Sequence, residues 1–463
     1  MVDMIPKNIF QSWITKDLHP EIQKKVDNIK SLNPEYNYQL YTDSEIDEFV
    51  NTFYPGEVSE CFNRLNVPVA KVDFWRYLVL YKYGGIYVDL DSSIDISLNE
   101  LIQENDTAII TAETNPNTFV QWALIFDKEH PILNKVIELV LDNIQNNSYP
   151  NDILQMTGPQ VYSKAIMSLH YDLFGKNLNF NNIDHNTDIT FSKELISYRI
   201  YGIDYNNKFT FKFPESEYLY FEKEPWRNEL AKKELLHPKL NVDNVYICHY
   251  KKLNERKKSI LEQFKEERIY RYEFIENFDK TKWDVREIEK EYPKVFKNWK
   301  KGLDSYDDDA QNSERSLALK HVSILKDIFK KQYQITLILE DDVTLCDEFV
   351  NYCNLFISQL PDDWDIAWVG SCLNLHEPNI EGTYVYKTNR GSRCTHAFLV
   401  SGSMVNKVID CISDINLPSD HFYNYLIEKF NLNNYWFEPS LAIQSLDFCS
   451  AISGNYWNSN NIN

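Results

Sequence analysis

Between Pro68 and Tyr83 apolar side chains recur at helical spacing, with Val72, Trp75, Val79 and Tyr83 on one stripe, until Gly84-Gly85 stops the helix. Pro68 suits a first helical turn, where its missing N–H costs nothing. From Ile86 to Asp91 the period changes to two, so Ile86, Val88 and Leu90 point one way while Tyr87, Asp89 and Asp91 point the other. Upstream, the pattern predicts a strand over 4–13, a helix over 20–31, a strand over 36–41 and a helix over 43–54, the β-α-β opening of an α/β sheet. Downstream it predicts a buried strand over 107–113 and an amphipathic helix over 131–146. The turn Met156-Thr157-Gly158-Pro159 then opens a helix over 161–170, with Thr157 as its cap and Pro159 in its first turn. Residues 177–240 read as irregular and rich in Asn, Tyr and Phe.

The periodicity restarts near Asn241. A β-branched and aromatic run over 242–250 reads as a strand, Leu253 leads into a helix through Phe264, and 271–277 reads as a second strand. Farther on, Ile335 to Leu339 is apolar on both faces, as parallel central strands are, and runs into Glu340-Asp341-Asp342. Alternation puts Glu340 and Asp342 on a shared face. At 463 residues the chain exceeds what a single core usually serves, and the restart predicts two domains, 1–240 and 241–463.

Paired carboxylates at a strand end repel one another unless a cation sits between them. Hard oxygen ligands select Mg²⁺ or Mn²⁺, which commonly hold one or two carboxylates plus substrate phosphates. Asp73 and Arg76, three apart on the preceding helix, are candidates for a ribose hydroxyl acceptor and a phosphate-directed cation. The plainer reading makes Asp89 and Asp91 strand-ending turn residues and Asp73 and Arg76 a surface pair worth a few tenths of a kcal/mol.

The run AKVDFWRYLVLYKYGGIYVDLD, with IPKNIFQSWI at the N-terminus, resembles the DxD core of glycosyltransferase family 32. The resemblance implies metal ligation by Asp89 and Asp91, donor binding by Asp73, Arg76, Thr157 and Gly158, stacking of Trp13 on the nucleotide base, and retention of configuration. The family's terminal His and Ser-Trp have only Glu224-Pro225-Trp226 as a counterpart. The second half resembles glycosyltransferase family 25, the lipooligosaccharide and collagen-modifying transferases. It does so through the opening strand, the Glu314 to His321 helix, Leu-Ile-Leu-Glu-Asp-Asp-Val, Thr395-His-Ala-Phe-Leu-Val and Pro418-Ser-Asp420, with Lys320 where Ser is usual. That resemblance implies donor binding by His249, Arg256 and His321, metal ligation by Glu340, Asp342 and Asp420, and inversion. Inversion calls for a general base, for which Asp420 and Glu340 are the candidates. The fold expected is α/β, with two nucleotide-sugar-binding Rossmann-like domains of GT-A type in tandem.

A net charge of −21 argues against nucleic acid or an anionic membrane as the main partner. No run approaches the roughly 18 apolar residues of a membrane span, and no signal-peptide pattern opens the chain. The eight cysteines form no C-x-x-C and suggest reduced thiols in a cytoplasmic setting. The expected activity is a bifunctional, Mn²⁺- or Mg²⁺-dependent glycosyltransferase. Its donor is a nucleotide sugar, UDP-linked in preference to GDP-linked, and its acceptor a glycan, lipooligosaccharide or glycoprotein. The alternative is a glycan-binding or scaffolding protein with a single active domain; a metal-dependent phosphohydrolase lacks the clustered His ligands it would need.

Overall fold

The computed structural model describes residues 5–115, 117–194, 196–220, 233–300, 308–370, 382–388, 391–445 and 447–448. The chain divides into two compact units, residues 1–237 and 238–463. Each is mixed α/β around a seven-stranded sheet.

The first sheet contains β1 (Asn8–Ser12), β2 (Asn37–Tyr41), β3 (Gly85–Val88), β4 (Ala108–Ala112), β5 (Ala123–Phe126), β6 (Asp188–Lys193) and β7 (Ile196–Ile203). Their order is β2-β1-β3-β5-β4-β7-β6. β1 lies parallel to β2 and β3, β5 runs antiparallel to both β3 and β4, β4 is parallel to β7, and β6 and β7 are antiparallel.

The second sheet contains β8 (Asn244–Cys248), β9 (Tyr272–Ile275), β10 (Ile335–Glu340), β11 (Ile366–Gly370), β12 (Val385–Thr388), β13 (Ala397–Ser401) and β14 (Asn434–Phe437), in the order β9-β8-β10-β13-β11-β14-β12. β10 is parallel to β8 but antiparallel to β13, and the remaining orientations repeat those of the first sheet. The apolar run over 335–339 had suggested parallel neighbours on both sides. Burial of both faces makes a strand apolar whichever way its neighbours run, so apolarity does not report direction.

The Pro68–Tyr83 helix is more deeply buried than its stripe suggests, because Ala70 and every residue from Asp73 to Leu80 are buried. It packs against β3 and the helices Asp43–Phe53 and Pro131–Gln145, and a helix covered on several sides is apolar around most of its circumference. Gly85, at φ +117°, starts β3, and a Cβ there would stand 2.6 Å from the Asn8 carbonyl oxygen; the close approach of β3 to β1 requires glycine. The stretch expected to be irregular supplies β6 and β7. β6 lies at the sheet edge and is mostly exposed, so its polar sequence carries no alternation.

Two acidic strand ends as candidate sites

In the first unit the Pro68–Tyr83 helix carries Asp73 and Arg76 into the interior rather than to the surface; each is 4% exposed. The Arg76 guanidinium meets Asp73 at 3.0 Å and Asp89 at 3.3 Å, donates to the Gln121 carbonyl at 3.0 Å, and lies over the Tyr87 ring at 4.5 Å. It is an internal counter-ion for the acidic cluster. β3 ends at Val88, and the Ser92 N–H closes a turn onto the Asp89 carbonyl at 3.0 Å. That turn, rather than strand alternation, brings Asp89 and Asp91 together. The Tyr87 hydroxyl donates to Asp89 Oδ1 at 2.6 Å. Burial raises the Asp89 pKa to about 6; Arg76 opposes the rise and the Asp91 charge adds to it.

Asp91 is buried, accepting from the Ser92 hydroxyl at 3.0 Å and from the Tyr220 hydroxyl at 2.7 Å. Trp13 meets the Tyr220 ring edge-on at 6.2 Å, which puts it beside the acidic end of β3. Thr157 does not cap the following helix, which runs Pro159–Phe174 with Gly158 as its N-cap. The Thr157 hydroxyl instead donates to Asp73 at 3.3 Å, beneath the cluster. A Cβ at Gly158 would lie 2.8 Å from Leu154 Cα, so its glycine allows close backbone packing. Glu224-Pro225-Trp226 lies outside the described residues.

In the second unit β10 ends at Glu340, and a cavity of about 130 Å³ opens beside it, lined among others by His249, Arg256, Lys320, Glu340, Asp341 and Asp342. Asp341, which alternation had set apart from the pair, is the anchor: it accepts from Arg256 at 2.8 Å and pairs with His249 Nδ1 at 2.7 Å. Arg256 also reaches Asp342 Oδ2 at 3.1 Å, and Gln444 donates to the same oxygen at 3.0 Å. Asp342 Oδ1 is buried without a hydrogen-bond partner. Burial, reinforced by Asp342, raises the Glu340 pKa to about 8, while the Thr395 hydroxyl donates to its carboxyl at 2.7 Å.

Two expected residues stand elsewhere. His321 is fully buried in the core, stacked on Phe398 at 5.7 Å and 3.5 Å from the Tyr423 hydroxyl. The helix Asp308–Lys331 turns that side inward and presents Ser313, Ser316, Leu317 and Lys320 to the cavity. Asp420 does not line the cavity; its neighbour Ser419 meets the Thr395 hydroxyl at 2.8 Å. Tyr220 and Gln444 were not singled out from sequence; Asp341 stood there only as the middle of the acidic triplet, and Lys320 only as a departure from the family's usual Ser, with no role assigned to either.

The oxygen chemistry of both clusters fits a hard divalent cation. Asp89, half-buried, and Asp91, buried, are a mutually repelling pair, and Asp342 has an unpartnered oxygen beside Glu340. Among the described residues no group of three or more His, Cys, Asp or Glu is arranged to hold a metal, so substrate oxygens would complete any coordination shell. Nor is any helix among them long and apolar enough to cross a membrane. Cys61, Cys248, Cys346, Cys353 and Cys411 are free thiols, whereas Cys394 is disulfide-bonded, where the sequence had suggested reduced thiols.

Residues 20–108 match the family described as glycosyltransferase sugar-binding region containing DXD motif, and residues 242–423 match glycosyltransferase family 25 (LPS biosynthesis protein). Both halves are therefore of glycosyltransferase type, each similar to a different family. The chain is 31% identical over 156 residues to inositol phosphoceramide mannosyltransferase 3 of Schizosaccharomyces pombe, a match covering 34% of this chain and 43% of that protein. It is 24% identical over 200 residues to the initiation-specific alpha-1,6-mannosyltransferase of Candida albicans, covering 35% and 52%. The chain thus spans about half the length, or less, of these curated relatives. Among solved structures it is similar to PaToxG glycosyltransferase, at 23% identity and a TM-score of 0.32, over 37% of this chain and 73% of that one.

Proposed function

We propose that the chain is a bifunctional glycosyltransferase with one nucleotide-sugar site in each of two GT-A-type domains, residues 1–240 and 241–463. The observation that carries this reading is the carboxylate pair at the end of the third strand in each sheet, half-buried Asp89 with buried Asp91 and half-buried Glu340 with buried Asp342. The family matches over both halves support it. A Mn²⁺ or Mg²⁺ ion held by Asp89 and Asp91, or by Asp342 with Glu340 beside it, would neutralise charge on the departing nucleoside diphosphate. In the first site Arg76 and the Tyr87 hydroxyl fix the Asp89 carboxylate, and Trp13 offers an aromatic face for the base. In the second, Arg256 orients Asp341 and Asp342. Glu340 lines the cavity and is the candidate to take a proton from an acceptor hydroxyl; its pKa of about 8 leaves it mostly protonated at neutral pH, so catalysis by this base would increase as pH rises toward 8. Asp420 is the weaker candidate because it stands outside the cavity.

The acceptor is a glycan or glycoconjugate. The relatives named as mannosyltransferases make mannose the first sugar to try, in both UDP- and GDP-linked donors. The test is product analysis of the full chain with such a donor panel, Mn²⁺ and glycan acceptors. Asp91→Ala should abolish one sugar addition and spare the other, and Asp342→Ala should do the converse. A single product lost equally in both variants would refute two independent sites and favour a scaffolding role for one domain.

A further inference from the structure

The second cavity holds a charge that its acidic end does not require. Lys320 is 4% exposed, its ammonium donates to the Asn277 carbonyl, and it lines the same cavity as Glu340, Asp341 and Asp342. An ammonium has three N–H donors and this one has a single hydrogen-bond acceptor among the described residues. Asp341 and Asp342 are already paired with Arg256, so Lys320 is not their principal counter-ion. Burying an ammonium with so few hydrogen-bond partners is costly: desolvation depresses its pKa against the opposing pull of Cys248, Asp279, Asp341 and Glu276, and a buried cation of this kind lining a cavity marks a candidate ligand site.

The helix Asp308–Lys331 sets Ser313, Ser316, Leu317 and Lys320 at intervals of three and four, so the cavity wall it forms is one stripe with the cation at its inner end. Ser316 is committed to the Phe278 carbonyl, and Ser313 to the Asp309 carbonyl and the Lys280 ammonium. Lys280 is in turn paired with Asp309 at 2.6 Å. Lys320 therefore keeps donors directed at the cavity that its neighbours on the stripe have spent. An occupant of this space meets carboxylate oxygens, one of them unpartnered on Asp342, and an under-paired ammonium.

We propose that Lys320 is a donor-binding residue of the second site, holding an anionic oxygen of a nucleoside diphosphate while the Glu340 to Asp342 end receives the cation that accompanies it. The assignment rests on reading this cavity as a nucleotide-sugar site. It puts on Lys320 the donor-binding role that the family resemblance had implied for His321.

The test is calorimetric titration of the full chain carrying Asp91→Ala, which silences the first site, with UDP, GDP and the corresponding nucleosides in the presence of Mg²⁺. Lys320→Met, close in volume, should weaken diphosphate binding by roughly tenfold or more, the scale of a hydrogen bond to a charged group, and change nucleoside binding less than about twofold. Lys320→Arg should recover part of the loss. The Lys320→Met melting temperature should hold or rise, since an apolar side chain replaces a buried charge. Equal diphosphate affinity in the parent and Lys320→Met would overturn the role of Lys320 while leaving the site intact. A lowered melting temperature with diphosphate and nucleoside weakened alike would make Lys320 structural and overturn it too. No diphosphate binding in the Asp91→Ala parent would instead overturn the nucleotide-sugar reading of the second cavity, and Lys320 with it.

Discussion

Arg76→Met separates the two roles open to this arginine. As an exposed partner of Asp73 it would contribute a few tenths of a kcal/mol and could be removed with little effect on the fold. In the structure it is buried, it is shared between Asp73 at 3.0 Å and Asp89 at 3.3 Å, and it satisfies the Gln121 carbonyl at 3.0 Å. Methionine keeps the length and leaves the buried Asp73 carboxylate and the half-buried Asp89 carboxylate without their cation. Removing one partner of a buried ion pair costs about 3–5 kcal/mol. For a unit of this size each kcal/mol is worth about 2–4 °C, so the first unit's transition should fall by roughly 6–20 °C. Because the chain divides into two compact units, calorimetry of the full chain should show one transition moving and the other staying. Adding Asp73→Asn to Arg76→Met should restore about 2 kcal/mol, because the neutral amide no longer needs the guanidinium and still accepts from Thr157. A single variant within about 1 kcal/mol of the parent, or a double variant without recovery, would refute the counter-ion role and return Arg76 to the phosphate-binding one.

Burial lowers the His130 pKa from 6.5 to about 4, and the ring caps the Pro131–Gln145 helix through Nδ1 while Nε2 meets the Ser197 carbonyl. The unfolded chain therefore takes up the proton first, stability is full above pH 6.5, and about 3 kcal/mol is lost as pH falls toward 4; in His130→Asn, which keeps a capping oxygen, chemical denaturation across that window should show a flatter loss, and an unchanged slope would refute the assignment. Tyr220→Phe keeps the ring against Trp13 but frees an Asp91 oxygen from a 2.7 Å hydrogen bond, so Mn²⁺ affinity measured by titration should rise by up to roughly tenfold. An affinity that falls would show that the Tyr220 oxygen supports binding instead of competing with it.

How much of this was legible in the sequence varied with what each feature depends on. The helix from Pro68 and its Gly84-Gly85 stop were readable because proline, glycine and a change of period are local signals. The burial of Asp73 and Arg76 was not, because i,i+3 spacing places two residues on one side of a helix without saying what covers that side. The same limit moved the cavity wall from His321 to Lys320: adjacent helical positions point about 100° apart, and only the packing of Phe398 and Tyr423 decides which one is core. Asp341 was passed over because alternation was carried past the end of β10, where the chain has already turned. Tyr220 and Gln444 come from segments far along the chain, and nothing local to them points to an acidic strand end.

The two units reach the same arrangement by different residues. In the first, the Asp89 N–H donates to the carbonyl of Trp122, immediately before the reversed strand β5; in the second, the Glu340 N–H donates to the carbonyl of His396, immediately before the reversed strand β13. Asp89 and Glu340 are therefore structural counterparts. The second acid is also held alike, since the Asp91 carbonyl accepts from the Phe213 N–H and the Asp342 carbonyl from the Ser445 N–H. A side chain from that late segment then meets the carboxylate itself, Tyr220 on Asp91 and Gln444 on Asp342. The internal cation has no common origin: Arg76 comes from the helix that precedes the acidic strand β3, Arg256 from the helix that follows β8. What the two sheets share is thus the backbone frame around the end of the third strand, where a reversed neighbour and a returning late segment fix the direction of two carboxylates. The cation that balances them can enter from either side of that frame, which explains how halves without a common residue pattern hold the same pair of acids.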